Sequence, residues 1–240
     1  MNDRSIVSNF TVHIPPPCHE EVGILHADDD ILVVIKPSGL LSVPGRYLKD
    51  CVQHRVAFDY ADAMIVHRLD LDTSGVMVLT RSKRAAQSLS RQFREREVGK
   101  EYVAVVWGCL DADSGTLDFP LAPDPVARPR HVVSAEGREA ITDFEVEFRG
   151  ANSTRVRLKP RTGRSHQLRV HLSHIGHPIL GCDLYAHDEA LKASARLMLH
   201  AERLSFRHPS NGDIVEFHAP APFSRLSDEP GRTDPVTESP

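Results

Sequence analysis

Along much of the chain apolar and polar residues alternate, a period that predicts strands more often than helices. Ile24-Leu25-His26 and Ile31 to Lys36 read as two strands about the acidic turn Asp28-Asp29-Asp30. Pro37-Ser38-Gly39 stops the second, because proline cannot donate to a ladder and glycine permits positive φ. Further strands are predicted at Met64 to Val66, Gly75 to Thr80, Tyr102 to Trp107, Thr142 to Phe148, Val156 to Leu158 and Leu197 to Ala201. A hairpin joins Leu204–Phe206 to Ile214–Phe217 through Pro209-Ser210-Asn211-Gly212. Helical spacing stands out twice. Ser82 caps a helix carrying Ala85, Ala86, Leu89 and Phe93 on one face and ending at Gly99; Ser165 caps another with Leu168, Leu172 and Ile175 inward, closed by Gly176. Many strands and few helices give an α+β fold with a mainly antiparallel sheet. Residues 1–22, with Pro15-Pro16-Pro17, read as an extended arm. Residues 225–240 read as a disordered acidic tail, leaving 23–224 as the folded domain.

The chain has 240 residues, of which 40% are hydrophobic and 26% charged, enough apolar material for a core. No run reaches the ~18–20 apolar residues of a membrane helix. The four cysteines are scattered without a C-x-x-C pair, so neither a disulfide framework nor a cysteine zinc site is indicated. A soluble, cytoplasmic protein is expected. The net charge of −4 argues against a polyanion partner, but its distribution argues for one. Arg81 to Lys100 holds seven cations and two acids, and Arg155 to His171 holds six cations and no acid. Arg128, Arg130, His131 and Arg138 form a third basic stretch.

Two segments carry more polar chemistry than a connection needs. His67-Arg68-Leu69-Asp70-Leu71-Asp72-Thr73-Ser74-Gly75 sets ionisable groups and turn formers between two apolar strands; a locally paired Asp70 is the plain alternative. Arg161-Thr162-Gly163-Arg164-Ser165-His166-Gln167-Leu168-Arg169 puts arginines at a glycine turn entering a helix, a place suited to an anion or carboxylate; simple capping is its alternative. His166, His171, His174 and His177 suggest a metal cluster, but they span one helix and its exit without a Cys or Glu partner, so no metal site is expected.

With these motifs the sequence resembles the RluA-type pseudouridine synthases. H-R-L-D-x-x-T-S-G at His67 to Gly75 carries the resemblance. I-K-P-S-G-L-L-S-V-P-G-R from Ile35, R-Q-F-R-E-R-E-x-x-K-x-Y-V-A from Arg91, K-P-x-T-G-R-S-H-Q-L-R-V-H from Lys159, G-H-P-I-L-G from Gly176 and L-H-A-E-x-L near His200 support it in the family's order. It implies a bipartite sheet, mixed but mainly antiparallel, with flanking helices and a central catalytic cleft. It implies isomerisation of uridine in RNA without a cofactor, in a tRNA anticodon stem-loop, a large-subunit rRNA hairpin loop, or both. Asp70 would be the catalytic carboxylate, as nucleophile on the ribose or as base on a sugar proton. Arg164 would pair with it, Tyr102 would stack on the target base, Leu168 would pack against it, and Arg68 would fill the space of the flipped nucleotide. Binding roles carry over to His67, Thr73, Arg91, Arg94, Arg128, Arg161, His166 and Gln167, and the strand Arg155 to Arg161 would grip the RNA backbone. A monomer is expected. One departure from the family pattern is Gly181-Cys182-Asp183, where the acid comes one position late. No added RNA-binding domain is expected before the first strand. Three rivals stay open: a family member with a different tRNA or rRNA target, an RNA-binding or chaperone module without turnover, and a nucleoside hydrolase using Asp72 to position water.

Overall fold

The structure, a computed structural model, describes residues 16–223; most of the expected arm and all of the expected acidic tail lie outside it. In chain order the elements are β1 (Gly23–Ala27), β2 (Ile31–Lys36), α1 (Val52–Val56), β3 (Met64–Ile65), β4 (Ser74–Thr80), α2 (Lys83–Arg94), β5 (Gly99–Trp107) and β6 (Ser114–Asp118). There follow β7 (Leu121–Pro123), β8 (His131–Val133), β9 (Ile141–Arg149), β10 (Ser153–Pro160), α3 (Gln167–His174), α4 (Asp188–Lys192), β11 (Leu199–Arg207) and β12 (Ile214–His218). Ten strands form one sheet in the order β1-β2-β4-β11-β5-β10-β9-β6, with β3 beside β4 and β12 beside β11; β7 and β8 make a separate ribbon. This is the expected α+β fold, and all but one of the pairings in the large sheet are antiparallel.

The exception sets up the site. β11 runs parallel to β4 over only two positions, His200 against Ser74 and Ala201 against Gly75, and is antiparallel to β5, where Ala201 faces Tyr102. Gly75, Ala201 and Tyr102 therefore lie abreast where the two halves of the sheet meet. One half buries Leu32, Val34, Met77 and Leu79 with Val52 and Val56 of α1, and the other buries Val156 and Leu158 with Leu168 and Leu172 of α3. Tyr102 packs against both clusters. The close approach requires glycine at 75: at φ +121 a Cβ would lie 2.2 Å from the Ala201 carbonyl oxygen and 2.6 Å from its nitrogen. Gly75→Ala should cost more than about 3 kcal/mol, read as a drop in the urea midpoint, because backbone on both sides must move.

Two expectations about helix ends are corrected. The first helix stops at Arg94, and Arg96 takes the left-handed turn at φ 62; Gly99 instead opens β5, where a Cβ would meet the Ser205 hydroxyl at 2.3 Å. Ser165 does not cap α3. The cap position is His166, itself left-handed at φ 57, and its side chain makes no capping bond. Gln167 instead braces the turn that leads into the helix: its Oε1 accepts from the Arg164 N–H at 3.0 Å and the Thr162 hydroxyl at 2.8 Å. At the other end Gly176 is left-handed at φ 85, and the His177 N–H reaches back to Leu172 O, closing the helix as a Schellman turn. Ser82 does cap α2, accepting from the Ala85 N–H at 3.1 Å.

Candidate active site

A cavity of about 830 Å³ opens at the seam of the sheet, within the ~300–1,000 Å³ usual for a ligand site. Its floor is the loop before β4. Asp70, Leu71, Asp72 and Thr73 form a turn in which the Thr73 N–H donates to Asp70 O at 3.2 Å. The loop is pinned from below by the segment after β2. The side chain of Lys36 is fully buried, and its ammonium donates to the carbonyls of Pro37, Leu40 and Leu71 at 2.6–2.8 Å. Burial pushes that ammonium down to about 7, against the upward pull of Asp72 and Asp70. Ser38 Oγ donates to Asp72 O at 2.7 Å, and Ser42 Oγ both donates to Leu69 O and accepts from the Leu69 N–H. Three residues of the loop backbone, Leu69, Leu71 and Asp72, are thereby fixed by side chains 27–35 positions upstream, so Asp70 sits on a rigid base.

Asp70 keeps a partly open carboxylate, with 29% of its side-chain surface exposed. The guanidinium that meets it belongs to Arg169, not Arg164: Arg169 Nη1 lies 3.9 Å from Asp70 Oδ2. The Arg164 side chain lines the same cavity but turns its Nε to Glu139 O at 2.8 Å. The cause is the left-handed turn at His166, which brings the first turn of α3 into the wall, so Leu168 and Arg169 face inward while Arg164 stays on the rim. Arg169 is 97% buried and held on three sides: Asp70, the Cys182 sulfur at 3.3 Å from its Nε, and Asp183 on its Nη2. The acid displaced by one position in Gly181-Cys182-Asp183 thus still reaches the arginine. Tyr102 stands across the floor; burial, and secondarily the Asp70 charge, raise its hydroxyl so that it stays protonated.

The other expected residues divide. Arg68, Arg94, Arg161, Leu168, Thr73, His67, His166 and Gln167 all line the cavity, whereas Arg91 and Arg128 do not. Arg91 lies outside on α2, near Glu95, and of the rim segment it is Pro129 that enters the lining. Several of the lining groups are already committed. Gln167 also donates to Ile141 O and Thr142 Oγ1, which fills its amide, and Arg161 makes a two-point ion pair with Asp143. His67 Nε2 accepts the Val78 N–H at 3.0 Å and its ring stacks on Phe93, prolonging the β3 ladder with a side chain. Arg155 and Arg157 do not face the cavity; they pair with Glu147, Glu101 and Glu202 elsewhere on the sheet, so the strand expected to grip RNA is largely neutralised there. The four histidines diverge: His171 bonds Thr142 and Phe119 O, His177 bonds Trp107 O, His174 packs on Phe119, and His166 meets Tyr185. Asp72, the second carboxylate a hydrolase would use, is not in the lining, and burial raises it.

Sequence reasoning missed Arg169, Arg96 and Lys100. All three stood inside quoted motifs, and a cation on the inward spacing of a helix was the available signal for Arg169. With them the cavity holds seven Lys and Arg side chains against the single carboxylate of Asp70, on a chain of net charge −4. Such a field attracts phosphates and leaves one acid to act on what they carry.

The same packing makes the site acid-sensitive. Burial pushes His67 down to about 3 and His200 to about 4, so both rings are neutral in the fold. Unfolded, each takes up a proton near pH 6.5. Between these values the unfolded chain binds more protons, so stability falls as pH drops from about 6.5 toward 4. Urea midpoints should show that slope, and His67→Gln should flatten it; a profile level over this range contradicts the neutral-ring assignment.

This fold and this cleft define a pseudouridine synthase. Residues 30–174 match the RNA pseudouridylate synthase family, and the chain belongs to it. It is 52% identical over 212 residues to the dual-specificity RNA pseudouridine synthase RluA of Escherichia coli K12, covering 87% of this chain and 97% of that protein. It is 48% identical over 212 residues to the protein of the same description from Pasteurella multocida, with the same coverage of each. Among solved structures, human RNA pseudouridylate synthase domain containing 1 superposes with a TM-score of 0.74 at 29% identity, covering 88% of each chain. The protein is accordingly an RNA pseudouridine synthase, an isomerase.

Proposed function

We propose that this enzyme converts uridine to pseudouridine in exposed hairpin loops of two RNA classes, a tRNA anticodon stem-loop and a large-subunit rRNA loop, with Asp70 as the catalytic carboxylate. The observation that carries the reading is a lone carboxylate set against a buried guanidinium in a cleft otherwise lined by cations. The reaction breaks the glycosidic bond, turns the uracil and rejoins it through carbon. It calls for one acid group at the ribose, an apolar slot for the base and cations for the backbone. Asp70, the Tyr102–Leu168 slot and the rim arginines match those needs. Exposed Arg68, beside Asp70, is suited to stack where the target nucleotide leaves. A loop is the favoured substrate because its bases unstack at less cost than those of an A-form duplex, whose edges are hidden. A binder without turnover gains nothing from a carboxylate among phosphates, which favours the enzyme reading. The dual target follows the description of the relatives. The test is tritium release from 5-tritiated uridine in a tRNA anticodon stem-loop and in rRNA hairpins. Release from both is expected; release from one class alone removes the dual assignment, and release from neither overturns the proposal.

A further inference from the structure

Arg169 can serve Asp70 only if its own position is fixed, and the two groups that bond it outside the cleft, Cys182 and Asp183, lie in a loop. A third group in that loop does more. Tyr185 is 91% buried, and the Arg169 guanidinium lies 5.3 Å from its ring centroid. The Arg130 guanidinium lies 5.4 Å from the same centroid. The phenol oxygen accepts the backbone N–H of His131 at 2.9 Å and lies 2.6 Å from His166 Nδ1. One side chain thus touches the guanidinium that faces Asp70, the left-handed cap residue of α3, and the basic segment at the rim. That segment is itself a rigid turn: Asp124 Oδ1 accepts from the Val126 and Ala127 N–H groups, and the Asp124 N–H donates to Arg130 O. It presents Pro129 to the cavity and Val126, 92% exposed, to solvent.

We propose that Tyr185 is a positioning residue: its ring holds the Arg169 guanidinium toward Asp70, and its hydroxyl couples that guanidinium to the rim segment 124–131 that meets RNA. The proposal rests on the Asp70–Arg169 reading above. Two guanidiniums lie against the one ring, so Arg169 is held by it as well as by its ion pairs with Asp70 and Asp183. The non-glycine left-handed backbone at His166 is the kind of strained conformation that persists only where its surroundings enforce it, and the Tyr185 hydroxyl is part of that enforcement.

The ring and the hydroxyl separate in the test. Full-length enzyme acts on a 5-tritiated RNA hairpin, with kcat taken per folded molecule. Tyr185→Leu removes the ring and should lower kcat about 10- to 100-fold through misplacement of Arg169. Tyr185→Phe restores the ring without the hydroxyl; kcat should return to within about threefold of wild type while KM stays raised about three- to tenfold. A merely structural tyrosine would shift the melting temperature without this split. Wild-type kcat in the leucine variant, or a phenylalanine variant as slow as the leucine one, overturns the proposal. Should the leucine variant not fold, an unchanged KM in the phenylalanine variant overturns the coupling. Asp70→Asn separates the two levels. If it is inactive while Tyr185→Leu is normal, only the Tyr185 role falls. If it turns over, the site reading falls and takes this proposal with it.

Discussion

Asp70→Asn should bind hairpin RNA as the wild type does and fail to isomerise it. The amide occupies the space of the carboxylate, so the loop held by Lys36, Ser38 and Ser42 has no reason to move. The change removes the one negative charge among the cavity's cations. Neither role open to Asp70, attack on the ribose or removal of a sugar proton, survives in a neutral amide. Turnover should fall by about 10³-fold or more, the scale of a lost acid–base or covalent group. Binding should stay level or tighten slightly, since a repulsion between carboxylate and phosphate is relieved. Tritium release and filter binding on the same hairpin measure the two sides. Turnover within tenfold of wild type would remove Asp70 from the chemistry, whatever happened to affinity.

Most of the strands were legible because their alternation is local, and the segment His67 to Gly75 stood out as ionisable residues between apolar strands; singling out Asp70 within it rested on the family resemblance. What was not legible depended on residues far apart in the chain. Gly75 reads as an ordinary strand glycine until Ala201, 126 positions on, comes within reach of its missing side chain. Lys36 reads as the polar end of an apolar strand, yet it is fully buried, since three carbonyls from two loops converge on its ammonium. The motif after β10 holds Arg161, Arg164 and Arg169 within nine residues. Which of them faces Asp70 is decided by one left-handed backbone at His166, a conformation that histidine does not announce in sequence. Gln167 took its expected binding role from the family resemblance, yet all four of its hydrogen-bonding positions are spent on Thr162, Arg164, Ile141 and Thr142. β7 and β8, three residues each, are too short for a period to register.

The choice between the arginines gives the second large effect. Arg169→Met keeps a similar volume in a site that is nearly closed and deletes the guanidinium. Asp70 then loses its only cation within ion-pair distance among the described residues. Turnover should fall about 10²- to 10³-fold, with a smaller change in KM, because the group acts on the carboxylate rather than on the RNA backbone. Arg169→Lys should recover part of that loss. An ammonium restores the charge, but it cannot present one fork at once to Asp70, Cys182 and Asp183. Arg164→Met should behave differently, raising KM by less than about tenfold at nearly constant kcat, since its guanidinium serves the Glu139 carbonyl and the rim. A double-mutant cycle with Asp70→Asn sharpens the contrast. The Arg169 change should add almost nothing once Asp70 is gone, whereas the Arg164 change should keep its full effect on hairpin binding. Coupling to Asp70 found at Arg164 and missing at Arg169 would mean that the working enzyme turns the first arginine inward, and the geometry assigned to the cleft would have to be reversed.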